Sequence, residues 1–249
     1  MKLKNKVGIV TGSASGIGKG IALAMAKEGA HIAIVDINEE KGKETLTEIN
    51  QYTEGMLFIE DISVEANVIS IVQKVIDKYG QLDILVNNAH ASKQAPFIET
   101  TLDMFDLSFN TGFYPTFNFM KAAYPNLKKS EGKVINFASG AGMNGQPTQT
   151  AYAAAKEAIR GMTRVVANEW GPDNINVNII SPIANTEGVQ AWSESAPELY
   201  KEMINGIPLR RLGDSEADIG RAAVFLASED SDFITGQTIM VDGGTTKIY

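Results

Sequence analysis

The sequence predicts an α/β fold, with a doubly wound parallel sheet of about seven strands and helices on both faces. Short apolar runs alternate with longer segments of helical periodicity along the whole chain. Such alternation implies right-handed βαβ units, in which helices cover both faces of a parallel sheet. The runs Ile32-Ala33-Ile34-Val35 and Ile84-Leu85-Val86 are uninterrupted apolar segments, as strands buried on both faces are. These observations together predict three layers, helix on sheet on helix.

The individual elements follow from the spacing of apolar residues. We expect strands at 6–10, 31–36, 56–59, 82–86, 133–137, 175–180 and 238–241. A period near 3.6 predicts helices at 17–28, 39–50, 66–79, 152–169 and 217–227, with one long or two short helices at 102–127. Gly29, Gly80 and Gly171 follow three of these helices, where a left-handed residue ends a helix.

Composition limits the classes of protein that need to be considered. The 249 residues fit one α/β domain, and the absence of linkers and repeats predicts a single domain over 1–249 with a lid region at about 183–212. The chain contains no cysteine, which excludes disulfides, thiolate metal sites and cysteine nucleophiles. The net charge of −8 disfavours nucleic acid and anionic membranes as partners. No signal-length or bilayer-length apolar run is present, so we expect a cytoplasmic protein.

A glycine-rich loop lies between the first strand and the first helix: Thr11-Gly12-Ser13-Ala14-Ser15-Gly16-Ile17-Gly18. Gly12 permits a tight turn, Gly16 lets backbone N–H groups approach a pyrophosphate, and Gly18 allows close packing of the helix. The N-terminus of the helix adds partial positive charge. The loop therefore indicates a dinucleotide site on a Rossmann fold, although a glycine triplet alone also occurs in ordinary turns.

Asp36 ends the second strand, eighteen residues after Gly18. A carboxylate in that place accepts hydrogen bonds from the adenosine ribose diol and repels a 2′-phosphate. No Arg or Lys flanks Asp36, and Ser15 brings no cation into the loop. The sequence therefore predicts NAD(H) rather than NADP(H) as the cofactor. The alternative for Asp36 is a carboxylate that only caps a helix or a turn.

Tyr152 and Lys156 lie four residues apart among alanines, which places both side chains on one helix face. A phenol has an ordinary pKa near 10, so acid–base work at neutral pH needs preferential stabilisation of the phenolate. A nearby ammonium supplies part of that stabilisation, and an oxidised nicotinamide supplies more. Ser139 follows a strand and is placed to hold a carbonyl oxygen. As an isolated pair, Tyr and Lys at this spacing form a solvated face.

Several motifs together resemble the single-domain short-chain dehydrogenases/reductases over nearly the whole chain. They stand in the order of that family: the glycine loop, Asp61-Ile62, Asn87-Asn88-Ala89, the set Asn110, Ser139, Tyr152 and Lys156, the run Pro208-Leu209-Arg210-Arg211-Leu212-Gly213, then Thr235-Gly236-Gln237 and Val241-Asp242-Gly243-Gly244. The resemblance implies an NAD(H)-dependent oxidoreductase that interconverts a secondary alcohol and a ketone.

The resemblance also implies residue roles. Tyr152 is the general acid/base, Lys156 lowers its pKa and binds the nicotinamide ribose, Ser139 orients the substrate oxygen, and Asn110 holds a water that links Lys156 to solvent. The cofactor contacts are Gly12, Ser15, Gly16, Ile17, Gly18, Asp36, Ile37, Asp61, Ile62, Asn88, Ala89, Tyr152, Lys156, Pro182 and Ile183. The substrate, a small-molecule alcohol or ketone, meets Ser139, Tyr152, His90, Asn144, Gln149 and Trp192.

Two departures from the family lie near the nicotinamide end of the site. His90 replaces the glycine of Asn-Asn-Ala-Gly, and its imidazole either narrows the pocket, contacts substrate or points away without chemistry. Ile183 replaces the glycine of Pro-Gly after the sixth strand, and Thr186 lies four rather than five residues past Pro182. These departures motivate an alternative function, a nucleotide-binding sensor or interaction protein that kept the fold and lost catalysis.

Assembly and metal content complete the sequence-based expectations. The helices at 102–127 and 152–169 resemble those of the family's four-helix dimer contact, and residues 245–249 resemble its second interface. We therefore expect a homotetramer built as a dimer of dimers. His31 and His90 are far apart and have no ligand spacing around them, so we predict no metal site.

Overall fold

A computed structural model describes residues 1–247 and contains one seven-stranded, fully parallel sheet. The strands are Val7–Thr11 (β1), His31–Asp36 (β2), Met56–Ile59 (β3), Ile84–Asn87 (β4), Lys133–Phe137 (β5), Asn176–Pro182 (β6) and Thr238–Val241 (β7). Their order in the sheet is β3-β2-β1-β4-β5-β6-β7. Gly8 of β1 is aligned with Ile32 on one side and Ile84 on the other. The predicted fold class is confirmed.

Helices cover both faces of this sheet. They are Gly16–Lys27 (α1), Glu39–Ile49 (α2), Glu65–Tyr79 (α3), Leu102–Ser108 (α4), Tyr114–Ser130 (α5), Gly140–Asn144 (α6), Thr150–Trp170 (α7), Glu187–Ser195 (α8), Pro197–Gly206 (α9) and Arg221–Ala227 (α10). On one face, Ile21 and Met25 of α1 and Leu226 of α10 pack against the sheet. On the other face, Val72 of α3 and Phe119 of α5 do so together with residues of α7.

Three local features differ from the predicted elements. The segment at 102–127 is two helices joined by a π-helical turn, Phe109–Phe113, and a second π-helical turn, Ser215–Gly220, precedes α10. Gly171 has right-handed helical φ and ψ, because a 3-10 turn that starts there extends α7. A proline is tolerated in the first turn of such a segment, so Pro172 does not stop it, and Asn174 supplies the left-handed residue instead.

The topology gathers the loops that carry the predicted site. The strand order reverses between β1 and β4, and ligands of doubly wound sheets bind beyond the carboxyl ends of the strands at such a point. The amphipathic lid segment forms the helix pair α8 and α9 after β6. No helix within residues 1–247 is long and apolar enough to cross a membrane. The expected second interface at 245–249 includes residues 248 and 249, which lie outside the described part.

Candidate active site

The glycine loop leaves no room for side chains at two of its glycines. Gly12 has a φ of +62°, and a Cβ added to it would lie 2.8 Å from the Ala89 Cα. A Cβ on Gly18 would lie 2.1 Å from the Gly12 carbonyl oxygen, because α1 begins directly against the turn. In real structures a Cβ essentially never lies closer than about 3.0 Å to another heavy atom of this kind, so both positions require glycine. The N-terminal end of α1 therefore faces the carboxyl edge of the sheet with no side chain at Gly12 or Gly18 in front of it.

Asn88 and Ala89 lock the end of β4 to this loop. The Asn88 side-chain amide donates to the carbonyl oxygens of Thr11 and Gly12 at 3.0 Å each. The Thr11 hydroxyl in turn accepts from the backbone N–H groups of Asn88 and Ala89 at 3.0 Å. The two loops at the topological switch therefore form one rigid unit, and Asn88 acts here by positioning the loop.

Asp36 is held at the end of β2 by three backbone donors. Its Oδ2 accepts from the Ala14 N–H at 2.9 Å, and its Oδ1 accepts from Ile37 and Asn38 at 2.8 and 3.0 Å. A carboxylate has about four acceptor directions, so the capping role and a ribose contact are compatible. Asp61, whose Oδ1 accepts from Ser63 N–H at 2.9 Å, follows β3 at the same edge.

Ser139, Tyr152 and Lys156 meet at the carboxyl end of β5. Ser139 caps the N-terminus of α6, where its hydroxyl accepts from the Ala141 N–H at 3.2 Å, and it lies beside the Tyr152 phenol, whose pKa it lowers in part. Lys156 is 4% exposed, and its Nζ donates to the Phe137 carbonyl oxygen at 3.1 Å. Its Nζ lies 5.6 Å from the centre of the Tyr152 ring. The sequence spacing of the pair therefore does place both groups on one face beside Ser139.

Burial dominates the acid–base properties of the pair. It lowers the pKa of Lys156 to about 7, so the amine is only partly charged at neutral pH. Burial also raises the pKa of the Tyr152 phenol, and the hydrogen bond from Ser139 only partly opposes this. The expectation that Lys156 lowers the phenol pKa stays a prediction, because among the protein groups alone burial is the largest effect on that pKa.

A cavity of about 370 Å³ opens next to these groups. Its lining includes six predicted site residues: Ser139, Asn144, Gln149, Tyr152, Pro182 and Ile183. Residues that sequence reasoning did not assign join them: Ser92, Gln94, Gly140, Ala141, Thr245 and Thr246. The two threonines follow the Asp242-Gly243-Gly244 turn, where the buried Asp242 accepts from Thr246 N–H at 2.7 Å. The placement of the two threonines depends on the pairing of β7 with β6. This contact joins segments that are far apart in sequence, so local patterns do not predict it.

Two predicted substrate residues do not line this cavity. Trp192 lies on α8, where its ring meets the Tyr200 ring of α9 edge-on at 6.1 Å. The two lid helices thus pack against each other. His90 lies against the Tyr152 ring, with ring centres 4.9 Å apart, and its Nε2 is 2.7 Å from the Ser108 Oγ. The imidazole therefore supports the site from outside the cavity wall.

The loop after β6 tolerates the replacement of glycine by isoleucine. Ile183 donates to the Val241 carbonyl oxygen at 3.0 Å and accepts from Gly213 N–H at 3.1 Å, with no positive φ. After Ile183 the chain turns toward the glycine-rich loop. The Thr186 Cγ2 lies 3.7 Å from the position that a Cβ on Gly16 would occupy. Glu187 forms an ion pair with Lys41 of α2. The lid therefore starts directly over the proposed pyrophosphate position.

Asn110 lies on the segment between α4 and α5. It lies in the π-helical turn and is exposed, whereas Lys156 is buried. Gly112 of the same turn contacts the His90 ring, and residues two apart on a helix point to different sides. An exposed position is compatible with the role that the resemblance assigns to Asn110, which is to hold a water that links Lys156 to solvent, and this role stays a prediction.

Comparisons with known proteins agree with this geometry. The family model described as enoyl-(acyl carrier protein) reductase matches residues 12–246. A 12α-hydroxysteroid dehydrogenase from a Clostridium species is 44% identical over 248 residues, which cover 96% of each chain. A 3-oxoacyl-(acyl-carrier-protein) reductase from Chlamydia muridarum is 37% identical over 97% of this chain and 98% of its own.

Solved structures lead to the same group. An NAD⁺-bound xylitol dehydrogenase matches with a TM-score of 0.91 and 30% identity, covering 98% of this chain and 100% of its own. Sequence and structural matches thus extend over the cofactor loop, the Tyr–Lys helix and the lid together. The chain belongs to the short-chain dehydrogenases/reductases and is an oxidoreductase of that family.

Proposed function

We propose that this protein is an NAD(H)-dependent oxidoreductase that interconverts a secondary alcohol and a ketone, with Tyr152 as the general acid/base. The observation that supports it most is that Ser139 and Tyr152 line one cavity at the carboxyl edge of the sheet, with Lys156 buried beside the Tyr152 ring. The glycines at 12 and 18, where a Cβ cannot fit, supply a cradle for a pyrophosphate beside that cavity.

The chain's own residues divide the work of alcohol oxidation. Tyr152, as phenolate, takes the proton of the substrate hydroxyl, and the Ser139 hydroxyl holds the substrate oxygen during that transfer. Lys156 stabilises the phenolate when it is charged. Bound NAD⁺ supplies the hydride acceptor and a positive charge that lowers the phenol pKa. Gly12, Gly16, Asp36 and Asn88 would hold that cofactor, and in the reverse direction Tyr152 returns the proton.

The substrate class we propose is a hydroxylated compound with an apolar body, and a 12α-hydroxysteroid is the first example to test. Amide and hydroxyl side chains dominate the cavity lining, and its volume lies within the range of small-molecule sites. The lid adds exposed apolar side chains, Trp192 and Leu199. The relative that is 44% identical is named a 12α-hydroxysteroid dehydrogenase.

A panel assay of NADH absorbance tests this proposal. It contains 12α-hydroxysteroids, polyols, small secondary alcohols, the matching ketones and a 3-oxoacyl thioester. We expect turnover of at least one alcohol–ketone pair, with the steroid among the best. NADH binding without turnover of any compound would contradict the proposal and would favour a nucleotide-binding sensor.

Cofactor choice can be tested at Asp36 with an isosteric change. In the wild type we expect a higher kcat/KM with NADH than with NADPH, because the carboxylate repels a 2′-phosphate. Asp36→Asn keeps the size and removes the charge, but its single acceptor oxygen keeps either the Ala14 contact or the Ile37 and Asn38 contacts, so NADH binding is measured beside the ratio. We expect the NADH/NADPH ratio of kcat/KM to fall by about tenfold to a hundredfold. Glu40→Gln, an exposed change on α2, is the control and should leave the ratio unchanged; a wild-type preference for NADPH would refute the assignment.

Assembly can be tested on the face shared by α5 and α7. Phe117 and Val165 are 45% and 55% exposed there and border an apolar groove of about 480 Å³. We propose that this face forms the dimer contact of a homotetramer. Val165→Glu places a charge in that contact and is expected to lower the sedimentation coefficient to that of a smaller species. Ile69→Glu on α3, where Ile69 is 53% exposed, is the control. A wild-type monomer, or equal dissociation of both variants, would overturn the proposal.

A further inference from the structure

The segment that follows β7 forms one wall of the cavity that Ser139 and Tyr152 line. Asp242 is 4% exposed, and its carboxylate accepts from the backbone N–H groups of Gly244 and Thr246 at 3.0 and 2.7 Å. The Asp242 carbonyl oxygen accepts from the Thr245 hydroxyl at 2.8 Å. These bonds fix the backbone of the segment, so Thr246 is held at the cavity without the help of its own side chain.

The Thr246 hydroxyl lies against the start of α6. A Cβ on Gly140 would lie 2.9 Å from the Thr246 Oγ1, so the glycine leaves room for this hydroxyl. Gly140 directly follows Ser139, and consecutive Cα atoms are about 3.8 Å apart. The Thr246 Oγ1 is therefore within about 8 Å of the Ser139 Cα. It is a near neighbour of the residue to which we assign the reacting oxygen of the substrate.

Asn144, the last residue of α6, completes this part of the wall. Its Nδ2 donates to the Thr246 Oγ1 at 3.1 Å, and both residues line the cavity. A hydroxyl that accepts one bond still has its own O–H to donate, and an amide that donates still has an acceptor oxygen. Within residues 1–247 neither of these two groups is used in a hydrogen bond. The pair thus offers one donor and one acceptor side by side.

The charge of the surroundings limits what this pair can bind. The cavity lining within residues 1–247 includes no Asp, Glu, Lys or Arg. A carboxylate or phosphate would leave water there without a countercharge, and the Asp242 carboxylate behind Thr246 would repel it. A hydroxyl is uncharged and both donates and accepts, so it matches the pair.

We propose that Asn144 and Thr246 form a subsite for a second hydroxyl of the substrate, close to the hydroxyl that reacts. The substrate class is then a diol or polyhydroxylated compound rather than a simple alcohol. The inference rests on the proposed function, because it adds a contact to the same substrate. Both residues determine specificity and take no part in the transfer of the proton or the hydride.

The kinetic test uses matched pairs of substrates. Cyclohexane-1,2-diol is compared with cyclohexanol, and cholate with deoxycholate, two 12α-hydroxysteroids that differ by one ring hydroxyl. We expect the wild type to favour the more hydroxylated member of at least one pair by about tenfold in kcat/KM. Thr246→Val keeps the branched shape and removes the hydroxyl, so the preference should vanish through KM while kcat stays within a few-fold. Thr246→Ser should restore it.

Thr47→Val is the matched control for Thr246→Val. Thr47 is exposed on α2, and its hydroxyl donates to the Lys43 carbonyl oxygen at 2.8 Å. We expect this variant to keep the wild-type preference. A wild type without preference in either pair, or a preference that survives in Thr246→Val, would overturn the subsite. The second result would leave the bond between Asn144 and Thr246 with a structural role alone.

Binding separates this inference from the proposed function. Calorimetric titration of the NADH complex with the same four compounds measures affinity without turnover. Tighter binding of the more hydroxylated member by wild type and not by Thr246→Val, in a protein that turns over none of them, would refute only the proposed function. Turnover without any preference would refute only the subsite, and the absence of both binding and turnover would refute both.

Discussion

Tyr152→Phe is expected to reduce kcat/KM for alcohol oxidation by about a hundredfold to ten-thousandfold, the range that general acid–base catalysis contributes. The change removes one oxygen atom from a buried ring and leaves the contact with the His90 ring in place. The proposed function assigns cofactor binding mainly to the loop at 11–18 and to Asp36, so the dissociation constant of NADH should change by only a few-fold. Steady-state kinetics and NADH fluorescence titration measure the two quantities.

Tyr200→Phe provides the matched control for this change. Tyr200 is a partly buried tyrosine of α9 whose ring meets Trp192 rather than the catalytic group. We expect its activity to stay within a few-fold of wild type. Comparable losses in both variants, or full activity of Tyr152→Phe, would exclude Tyr152 as the acid/base.

Lys156→Met is expected to lower kcat about a hundredfold and to raise the melting temperature. Burial moves the pKa of Lys156 from 10.5 to about 7, which costs the native state on the order of 4 kcal/mol at neutral pH. Methionine removes this cost but leaves the Phe137 carbonyl oxygen without its Nζ donor, which costs about 1–3 kcal/mol. The balance is a stabilisation of about 1–3 kcal/mol, or a rise of several degrees for a chain of this size.

The pH dependence of stability provides a second readout for the same lysine. Between pH 7 and 10.5 the unfolded chain keeps a proton on Lys156 that the folded chain loses. The contribution of Lys156 to the free energy of unfolding therefore rises with pH across this window and is constant below it. Denaturant unfolding at pH 7 and pH 9 should show the difference between wild type and Lys156→Met shrinking as the pH rises. A lower melting temperature for the variant at pH 7 would contradict this interpretation.

Local patterns were sufficient for most of the fold and for the central part of the site. Four strands, at 31–36, 56–59, 133–137 and 238–241, have the predicted bounds, because continuous apolar runs end there at polar or glycine residues. The i, i+4 spacing placed Tyr152 and Lys156 together, and the glycine loop lies where its spacing predicted. In each case the decisive contacts are close in sequence or lie at the shared carboxyl edge of a parallel sheet.

The remaining features depend on contacts between residues far apart in sequence. The π-helical turn at Phe109–Phe113 decides that Gly112 faces the His90 ring, and a 3.6 period does not reveal such a turn. The room for His90 depends on the absence of a side chain at Gly112, twenty-two residues later. The raised pKa of Tyr152 comes from burial, which the spacing of Tyr152 and Lys156 does not reveal.

Transfer of a labelled hydride tests the central claim most directly. A secondary alcohol that the panel identifies is prepared with deuterium on its carbinol carbon and incubated with NAD⁺ and the wild-type protein, and the nicotinamide product is analysed by mass spectrometry. We predict one deuterium per NADH formed, a slower rate than with the unlabelled alcohol, and no transfer above background with Tyr152→Phe. NADH that carries no deuterium, or equal transfer by wild type and Tyr152→Phe, would contradict the account.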